Sequence, residues 1–383
     1  MDQGKKVEKK VEYVELFYDL IFVYSLRTIN ALFHDVEGFP PLGLIATFLF
    51  LTVVILQVWY NTTMFFNRYG RKSLRDYISI FINMYLLYYM ADGANSEWLN
   101  HYIRYHGAWG LIMLNLAYRN WDKMYFGTHL DELDHRILRS NCMTMLVEAV
   151  IILLSIPIHQ LTGIVVSPVA LIFGYIAKAL EHRLYRQRSV DFPHLSERCL
   201  LLVILTFGEM IIGISSFFTE QQSLIHNVMA FLTVIGMFLL YGFFYDNVLD
   251  HNRNTSGLGY LTIHVVLILA INSTTIALEL VARASEGIVE FQKSLFLVLT
   301  MAAYYCLILL TEQYCKPAFH KDGQFIGIVF SILLMYALFM LLGGYNMIVG
   351  GLTTIIMVYG ILIFAIHTHK GRLKKLQFGG YLE

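Results

Sequence analysis

Apolar residues dominate the chain in long runs that short polar segments separate. Each run has about 20 residues, the length that an α-helix needs to cross the roughly 30 Å hydrocarbon core of a bilayer. The pattern continues from one end of the chain to the other, and it predicts an all-α polytopic membrane protein with about twelve transmembrane helices. The predicted spans are 12–34, 42–66, 74–92, 99–120, 135–157, 160–182, 194–218, 225–249, 257–282, 292–315, 324–342 and 346–367.

Basic residues are distributed unevenly between alternate loops. Lys and Arg in short loops stay on the cytoplasmic side, so a correct set of spans should place the basic loops on one side. Basic residues cluster in the N-terminal tail, in the second, sixth and tenth loops, and in the C-terminal tail. The intervening loops include HDVEGFPP, ADGANSEW and FTEQQS. This distribution predicts that both termini face the cytoplasm.

Composition supports a membrane protein and argues against other classes. The 383 residues are 57% hydrophobic and 15% charged, with a mean hydropathy of +0.57, which is too apolar for soluble domains. No basic groove for nucleic acid is expected. The first apolar segment contains Glu15 and Asp19 and precedes no small-residue cleavage site, so we do not expect a cleaved signal peptide. We interpret four cysteines without metal-ligand spacing as buried apolar residues: Cys142, Cys199, Cys306 and Cys315.

Two stretches far apart in the chain have nearly the same polar ending. They are WYNTTMFFNR at 59–68 and FYDNVLDHNR at 244–253. The first and seventh spans also align, with matched pieces in the same order along the chain. We therefore predict two six-helix repeats, at 1–190 with the N-terminal tail and at 191–383 with the C-terminal tail. Because an even number of spans separates equivalent positions, the repeats should be parallel and related by an axis along the membrane normal.

Two polar motifs within predicted helices resemble those of a known family. The first span reads E-L-F-Y-D-L from Glu15 to Leu20, and the seventh reads H-L-S-E-R from His194 to Arg198, with Gly-Glu at 208–209. These motifs are similar to those of the bacterial low temperature requirement A family, from the first helix through at least the eighth. The resemblance implies a polytopic protein of the bacterial cytoplasmic membrane and a link to growth at low temperature. It implies no established substrate or reaction.

Two acids lie on one face of the first predicted helix. Glu15 and Asp19 are four residues apart, which puts both carboxylates on the same side, about one turn from each other. A charge inside a membrane is costly unless it is paired or faces a cavity. The pair is therefore either a proton or cation site, or a structural ion pair with Arg198 or His194 of the seventh span. The sequence leaves both alternatives open.

The seventh predicted helix carries two glutamates in different settings. Glu197 lies in the first turn, where a negative charge complements the helix N-terminus. Glu209 lies about 18 Å further along the helix, where neither a cap nor a surface explains it. We expect it to face an internal cavity, as a titrating acid or as the partner of Arg27, which occupies the equivalent position in the first repeat.

Three further positions complete the candidate chemistry. Asn61 and Asp246 are expected at the cytoplasmic ends of the second and eighth spans. Glu148 has no counterpart in the eleventh span, and it is either part of a site or a protonated carboxyl that donates to a backbone carbonyl. Pro168 is expected to kink the sixth helix.

These observations favour a transporter of a small solute or ion, with proton coupling as an option and no catalytic residues. The sequence predicts no cofactor and no metal; the expected partners are the lipid bilayer and a small solute or proton, and the oligomeric state is open. One alternative is a membrane enzyme acting on lipid or isoprenoid groups through His194, Glu197 and Asp246; another is a non-catalytic scaffold. The predicted pathway consists of Glu15, Asp19, Arg27, Asn61, Glu148, His194, Glu197, Arg198, Glu209 and Asp246.

Overall fold

The computed structural model describes residues 9–34, 36, 38–70, 73–94, 99–218, 223–282, 290–319, 323–343 and 346–379. The regular structure of these residues is helical. Their thirteen α-helices are α1 (Tyr13–Asn30), α2 (Leu42–Tyr69), α3 (Leu74–Asp92), α4 (Tyr102–Phe126), α5 (Glu132–Thr162), α6 (Pro168–Leu180), α7 (His182–Arg186), α8 (Phe192–Gly213), α9 (Leu224–Phe243), α10 (Leu258–Ala282), α11 (Glu290–Leu310), α12 (Gly323–Gly343) and α13 (Met347–Gly379).

Eight of these helices, some with a short 3-10 or π extension, are long and apolar enough to cross a membrane: α1, α2, α5, α9, α10, α11, α12 and α13. The apolar helix α6 is shorter. Eleven of the twelve predicted spans each overlap one long helix; the sixth, 160–182, overlaps the end of α5, the 13-residue α6 and the start of the five-residue α7. The chain is therefore an all-helical, multi-pass membrane protein. The number of twelve crossings stays a prediction.

The helices form two compact units. In the first, α1 packs on α2 and α3, and α4 packs on α3 and α5, around buried aromatic residues such as Trp59 and Trp109. In the second, α13 packs on α9 and α12. The first unit contains the described residues of Met1–Asp35, Pro41–Leu202 and Asn254–Leu261; the second contains those of Val36–Pro40, Val203–Arg253 and Thr262–Glu383.

Local chemistry sets several helix ends in the first unit. The Ser73 hydroxyl accepts a hydrogen bond from the backbone N–H of Asp76 at 3.1 Å and caps α3. Asp131 and Asp134 cap the start of α5 reciprocally. Helix α5 ends at Thr162, and the next residue, Gly163, has a φ of 72° in the left-handed region that glycine adopts without strain.

The kink predicted at Pro168 inside the sixth helix is wrong. Helix α5 continues past Pro157 to Thr162, and α6 begins at Pro168 itself. Proline is well tolerated in the first turn of a helix because its missing N–H would have no partner there. The apolar run that starts near residue 160 is therefore divided between two helices.

The two stretches that suggested a repeat have different backbone structures. The stretch 59–68 lies within the continuous helix α2. The stretch 244–253 begins with a π-helical turn at Phe244–Val248, after which Leu249 pairs with Cys315 through their backbones. Internal duplication stays a prediction that rests on the sequence alone.

Candidate functional site

Arg198 of α8 contacts both acids of α1. Its Nε and Nη2 lie 3.1 and 2.6 Å from the two carboxylate oxygens of Asp19, and its Nη1 donates to Oε2 of Glu15. Arg198 and Asp19 have no exposed surface, and Glu15 is 3% exposed. The planar guanidinium matches a carboxylate with two parallel bonds. The structure thus contains the ion pair that one of the two sequence interpretations requires.

Asp19 has a second donor on α2. The indole Nε1 of Trp59 donates to its Oδ1 at 2.9 Å, so that this carboxylate accepts three hydrogen bonds in all. A buried charge is tolerated only when it is paired and hydrogen-bonded, and Asp19 meets both conditions. Trp59 and Arg198 therefore hold α1 against α2 and α8 through one carboxylate.

The tautomer of His194 follows from its contact with Asn67. The Asn67 amide is oriented by the backbone of Asp191: its Nδ2 donates to the Asp191 carbonyl at 2.8 Å, and its Oδ1 accepts from the Asp191 N–H at 3.1 Å. The same Nδ2 lies 3.0 Å from Nδ1 of His194, which must therefore be an acceptor. The ring proton then lies on Nε2, which is 3.4 Å from Oε2 of Glu15.

A cavity of about 240 Å³ reaches Glu15. Lys9 lies at this cavity, where its ammonium donates to the Phe66 carbonyl and, at 3.1 Å, to the Gly70 carbonyl. Burial lowers the pKa of the Lys9 ammonium, and its attraction to Glu15 opposes this effect. Asp19 does not line the cavity. The other lining residues are Glu12, Val14, Tyr77 and Ile80.

Glu148 belongs to a separate polar cluster in the first unit. It is fully buried on α5, and Gln57 Nε2 of α2 donates to its Oε2 at 3.0 Å. Lys178 of α6 interacts electrostatically with Glu148 and donates to Oδ1 of Asn61. Gly174 makes room for the carboxyl, because a Cβ there would lie 2.1 Å from Glu148 Oε1. Glu148 thus has side-chain partners, and no bond from it to a backbone carbonyl occurs among the described residues.

The remaining predicted residues differ in their exposure. Glu197 is partly exposed on α8, and Arg27 is exposed on α1. In the second unit, Glu209 is 5% exposed, whereas Asp246 is exposed in the π-helical turn. The pairing of Arg27 with Glu209 stays a prediction. Asn61 is buried in α2 well before that helix ends at Tyr69, so its expected position at a helix end is wrong.

Sequence reasoning missed several polar residues of the first unit. Arg119 of α4 is 4% exposed and lies between two rings, 4.4 Å from the Phe65 centroid and 4.3 Å from that of Phe66. An arginine inside an apolar run was a signal of its location. The sequence gives no such signal for buried amide or indole side chains, because these residues are also common in ordinary helix packing. The other missed residues are Gln57, Trp59, Asn67 and Lys178.

A polar pocket of about 320 Å³ lies near the end of α2 and the starts of α5 and α8. Arg188 bonds Asp134, and its Nη2 lies 2.8 Å from Asp131 Oδ2. The Asp134 backbone N–H and the Arg188 guanidinium lower the pKa of the Asp131 carboxyl. Among the described residues, no group of three His, Cys, Asp or Glu side chains is placed to hold a metal ion.

Comparison with known proteins identifies the family. The family model described as Bacterial low temperature requirement A protein (LtrA) matches residues 10–362 of the chain. This match includes both motifs noted above and the whole Glu15, Asp19 and Arg198 cluster. No curated protein matches the chain.

Proposed function

The chain belongs to the bacterial low temperature requirement A family, and we propose that it is a proton-coupled transporter of a small solute across the bacterial cytoplasmic membrane. One observation carries this proposal. Glu15 is a buried acid that is bonded to Arg198 and also lines a cavity of about 240 Å³. A carboxyl with these two properties can exchange a proton with the cavity and transmit the change to a helix contact.

The charges in contact with one another support a proton site. Glu15, Asp19 and Arg198 supply two negative charges and one positive charge, and His194 presents a ring N–H to Glu15 in its neutral form. One proton on Glu15 would make the contacting groups electrically neutral. Lys9 at the cavity and Arg119 on α4 also attract Glu15. Loss of the Glu15 charge would therefore weaken electrostatic interactions of α1 with α4, α8 and the N-terminal segment.

The two carboxylates have different roles in this mechanism. Asp19 is held by three hydrogen bonds and does not line the cavity, so we propose that it keeps Arg198 in place throughout. Glu15 holds only one nitrogen of Arg198, and protonation would replace this charged contact with a weaker one. Protonation would then lower the free energy of a conformation in which α1 and α8 separate near Glu15. If this is the conformation that the solute passes through, proton binding and solute movement are coupled.

The larger arrangement is also part of the proposal. We propose twelve spans in two parallel six-helix repeats, with both termini in the cytoplasm, and a role of the transported solute in growth at low temperature. The distribution of basic loops and the agreement between predicted spans and helix positions support the topology. Reporter fusions to the loops at 70–73 and 93–101 should report opposite sides of the membrane; the same side for both would contradict it.

Flux into proteoliposomes tests the proposed function. Purified protein is reconstituted with a trapped pH-sensitive dye, and amino acids, sugars, organic acids and monovalent cations are added outside one at a time. We expect one class to move protons, and we expect this signal to be lost in Glu15→Gln. Glu132→Gln, an exposed glutamate on α5, is the matched control and should behave as the wild type.

Other outcomes of this experiment would favour the two alternative functions, a membrane enzyme or a non-catalytic scaffold. Turnover of added lipid or isoprenoid substrates without solute-dependent proton movement would support a membrane enzyme. His194 is fully buried, which does not favour a role at the headgroups. Neither activity, together with loss of folded protein in every charge variant, would support a scaffold and overturn the proposal.

A further inference from the structure

A second, smaller cavity of the first unit lies apart from Glu15. Its volume is about 20 Å³, and on this measure a single water needs on the order of 10–15 Å³. It therefore has room for one small molecule or ion. The cavity is bordered by α2, α4, α5, α6, α7 and the start of α10, and its lining includes Asn61, Arg68, Asn120, Asn141, Lys178 and Tyr185.

Two cationic side chains line this cavity. Arg68 donates from Nη2 to the Ser256 carbonyl at 3.2 Å, while its buried Nε and Nη1 have no hydrogen-bond partner among the described residues. Its guanidinium lies 5.7 Å from the centre of the Tyr185 ring. Lys178 donates to Asn61 Oδ1 and lies 4.4 Å from the centre of the Tyr60 ring. Buried donors without partners are costly, so a ligand that accepts their hydrogen bonds would be stabilising.

Two amides present donors to the same space. Lys178 can bond only to an oxygen, so its contact with Asn61 fixes the amide and leaves Nδ2 as the free atom. Asn61 is 3% exposed, and this Nδ2 has no partner among the described residues. Asn141 Oδ1 accepts from the Tyr185 hydroxyl at 2.6 Å, and in this orientation its Nδ2 is a further amide donor.

Acceptors are scarce around the cavity. None of the described residues that line it is acidic. Among the described lining residues, the one buried side-chain oxygen without a hydrogen-bond partner is Oδ1 of Asn120, whose Nδ2 donates to the Leu116 carbonyl at 2.8 Å. Glu148 attracts Lys178 but does not line the cavity. The lining thus combines two positive charges, the free amide donor of Asn61 and the amide of Asn141 with one free neutral side-chain acceptor.

We propose that this cavity binds one small inorganic anion of halide size, with chloride as the physiological example. The ion would accept hydrogen bonds from Arg68 and from the Asn61 and Asn141 amides, with Lys178 adding positive charge. A halide fits because it accepts from several directions and needs little more space than water. Larger oxyanions are excluded by the volume. The site uses no residue of the Glu15 and Arg198 cluster.

Thermal unfolding in detergent tests this proposal without any transport measurement. A ligand that binds only the folded state raises its stability in a saturable way. Sodium chloride or bromide is exchanged for sodium gluconate at constant ionic strength, and the melting temperature is followed. We expect the wild type to be stabilised by both halides, with saturation. No halide response, or one that does not saturate, would overturn the proposal.

Two variants separate the cavity from general salt effects. Arg68→Gln and Asn61→Asp should each raise the half-saturating chloride concentration at least tenfold. Asn61→Asp keeps the size of the side chain and an oxygen for Lys178, but it replaces the free donor with a negative charge, so it decides the question if Arg68→Gln does not fold. Arg75→Gln, at an exposed arginine, should respond as the wild type. Equal responses in all four proteins would contradict a site in the cavity.

Discussion

Asp19 and Arg198, which are 179 positions apart, are joined by two hydrogen bonds of 2.6 and 3.1 Å, and neither side chain is exposed. The pair connects the first helix to the start of α8. Removing one partner of a buried ion pair strands the other charge, which costs far more than the pair itself contributes. The charged contacts of this unit therefore specify how its helices meet, whatever their net contribution to stability.

A double-mutant cycle should detect this coupling. Arg198→Gln is expected to destabilise the protein by about 3–5 kcal/mol, because it leaves two buried carboxylates without their cation. Asp19→Asn combined with Arg198→Gln should cost less than the sum of the single changes, by roughly 0.5–3 kcal/mol. Unfolding in mixed micelles measures the four proteins. The pair of exposed Arg75 and partly exposed Asp122, whose side chains lie 3.0 Å apart, is the control and should couple by less than about 1 kcal/mol.

The indole hydrogen bond to Asp19 should be worth more than an ordinary aromatic contact. Trp59→Phe keeps an aromatic side chain, although a smaller one, and removes the donor, with an expected cost of about 1.5–3 kcal/mol for a bond to a charged group. Trp121→Phe is the matched control, since Trp121 is 41% exposed, and it should change stability by no more than about 0.5 kcal/mol. Equal losses for the two variants would show that the bond to Asp19 contributes nothing specific.

The close approach of α6 to Glu148 requires glycine at position 174. In Gly174→Ala the new methyl group would lie 2.1 Å from Glu148 Oε1 and 2.7 Å from Gln57 Nε2, so the helices must move apart. We expect a loss of roughly 1–3 kcal/mol. Gly107 of α4 has no atom within 4 Å of the corresponding position, and Gly107→Ala should instead gain roughly 0.5–1 kcal/mol. A neutral Gly174→Ala would mean that α6 is not packed against these side chains.

The charge of Asp131 should stabilise the start of α5 in a pH-dependent way. The Asp134 N–H and, to a smaller extent, Arg188 lower the pKa of the folded Asp131 carboxyl from its ordinary value of 3.8. The charge therefore stabilises the folded protein above pH 3.8, and this stabilisation is lost as the pH falls through the folded pKa. Asp131→Asn keeps a capping side chain but removes the charge. The melting temperatures of wild type and variant should differ at pH 7 and converge below pH 4. A constant difference would exclude the charge as the cause.

The apolar pattern was sufficient to place the helices, because membrane helices must satisfy their backbone groups internally and need long apolar runs. It also identified Glu15, Asp19, His194 and Arg198, since acids and bases four residues apart share a helix face. It did not locate the break between α5 and α6. Gly163 and the first-turn position of Pro168 end one helix and start the next within a run that is apolar throughout.

The partners of these charges were not predictable from the sequence. Whether Trp59 packs against lipid or donates to Asp19 depends on how α2 is rotated, and apolar residues on every side of this helix leave no single face to fix that rotation. Lys178 lies inside the sixth predicted span, and its side chain reaches Asn61 of α2. Such contacts between helices are set by three-dimensional packing and not by spacing along one of them.

The most direct test of the proposed mechanism is carbodiimide labelling of the reconstituted protein, mapped by mass spectrometry. The reagent modifies carboxyls that are accessible and can take up a proton. We predict labelling of Glu15, which decreases as the pH rises, and protection of Asp19, which does not line the cavity and is held by Arg198 and Trp59. Glu15 that stays unmodified at every pH, or Asp19 labelled to the same extent, would contradict a proton site at Glu15.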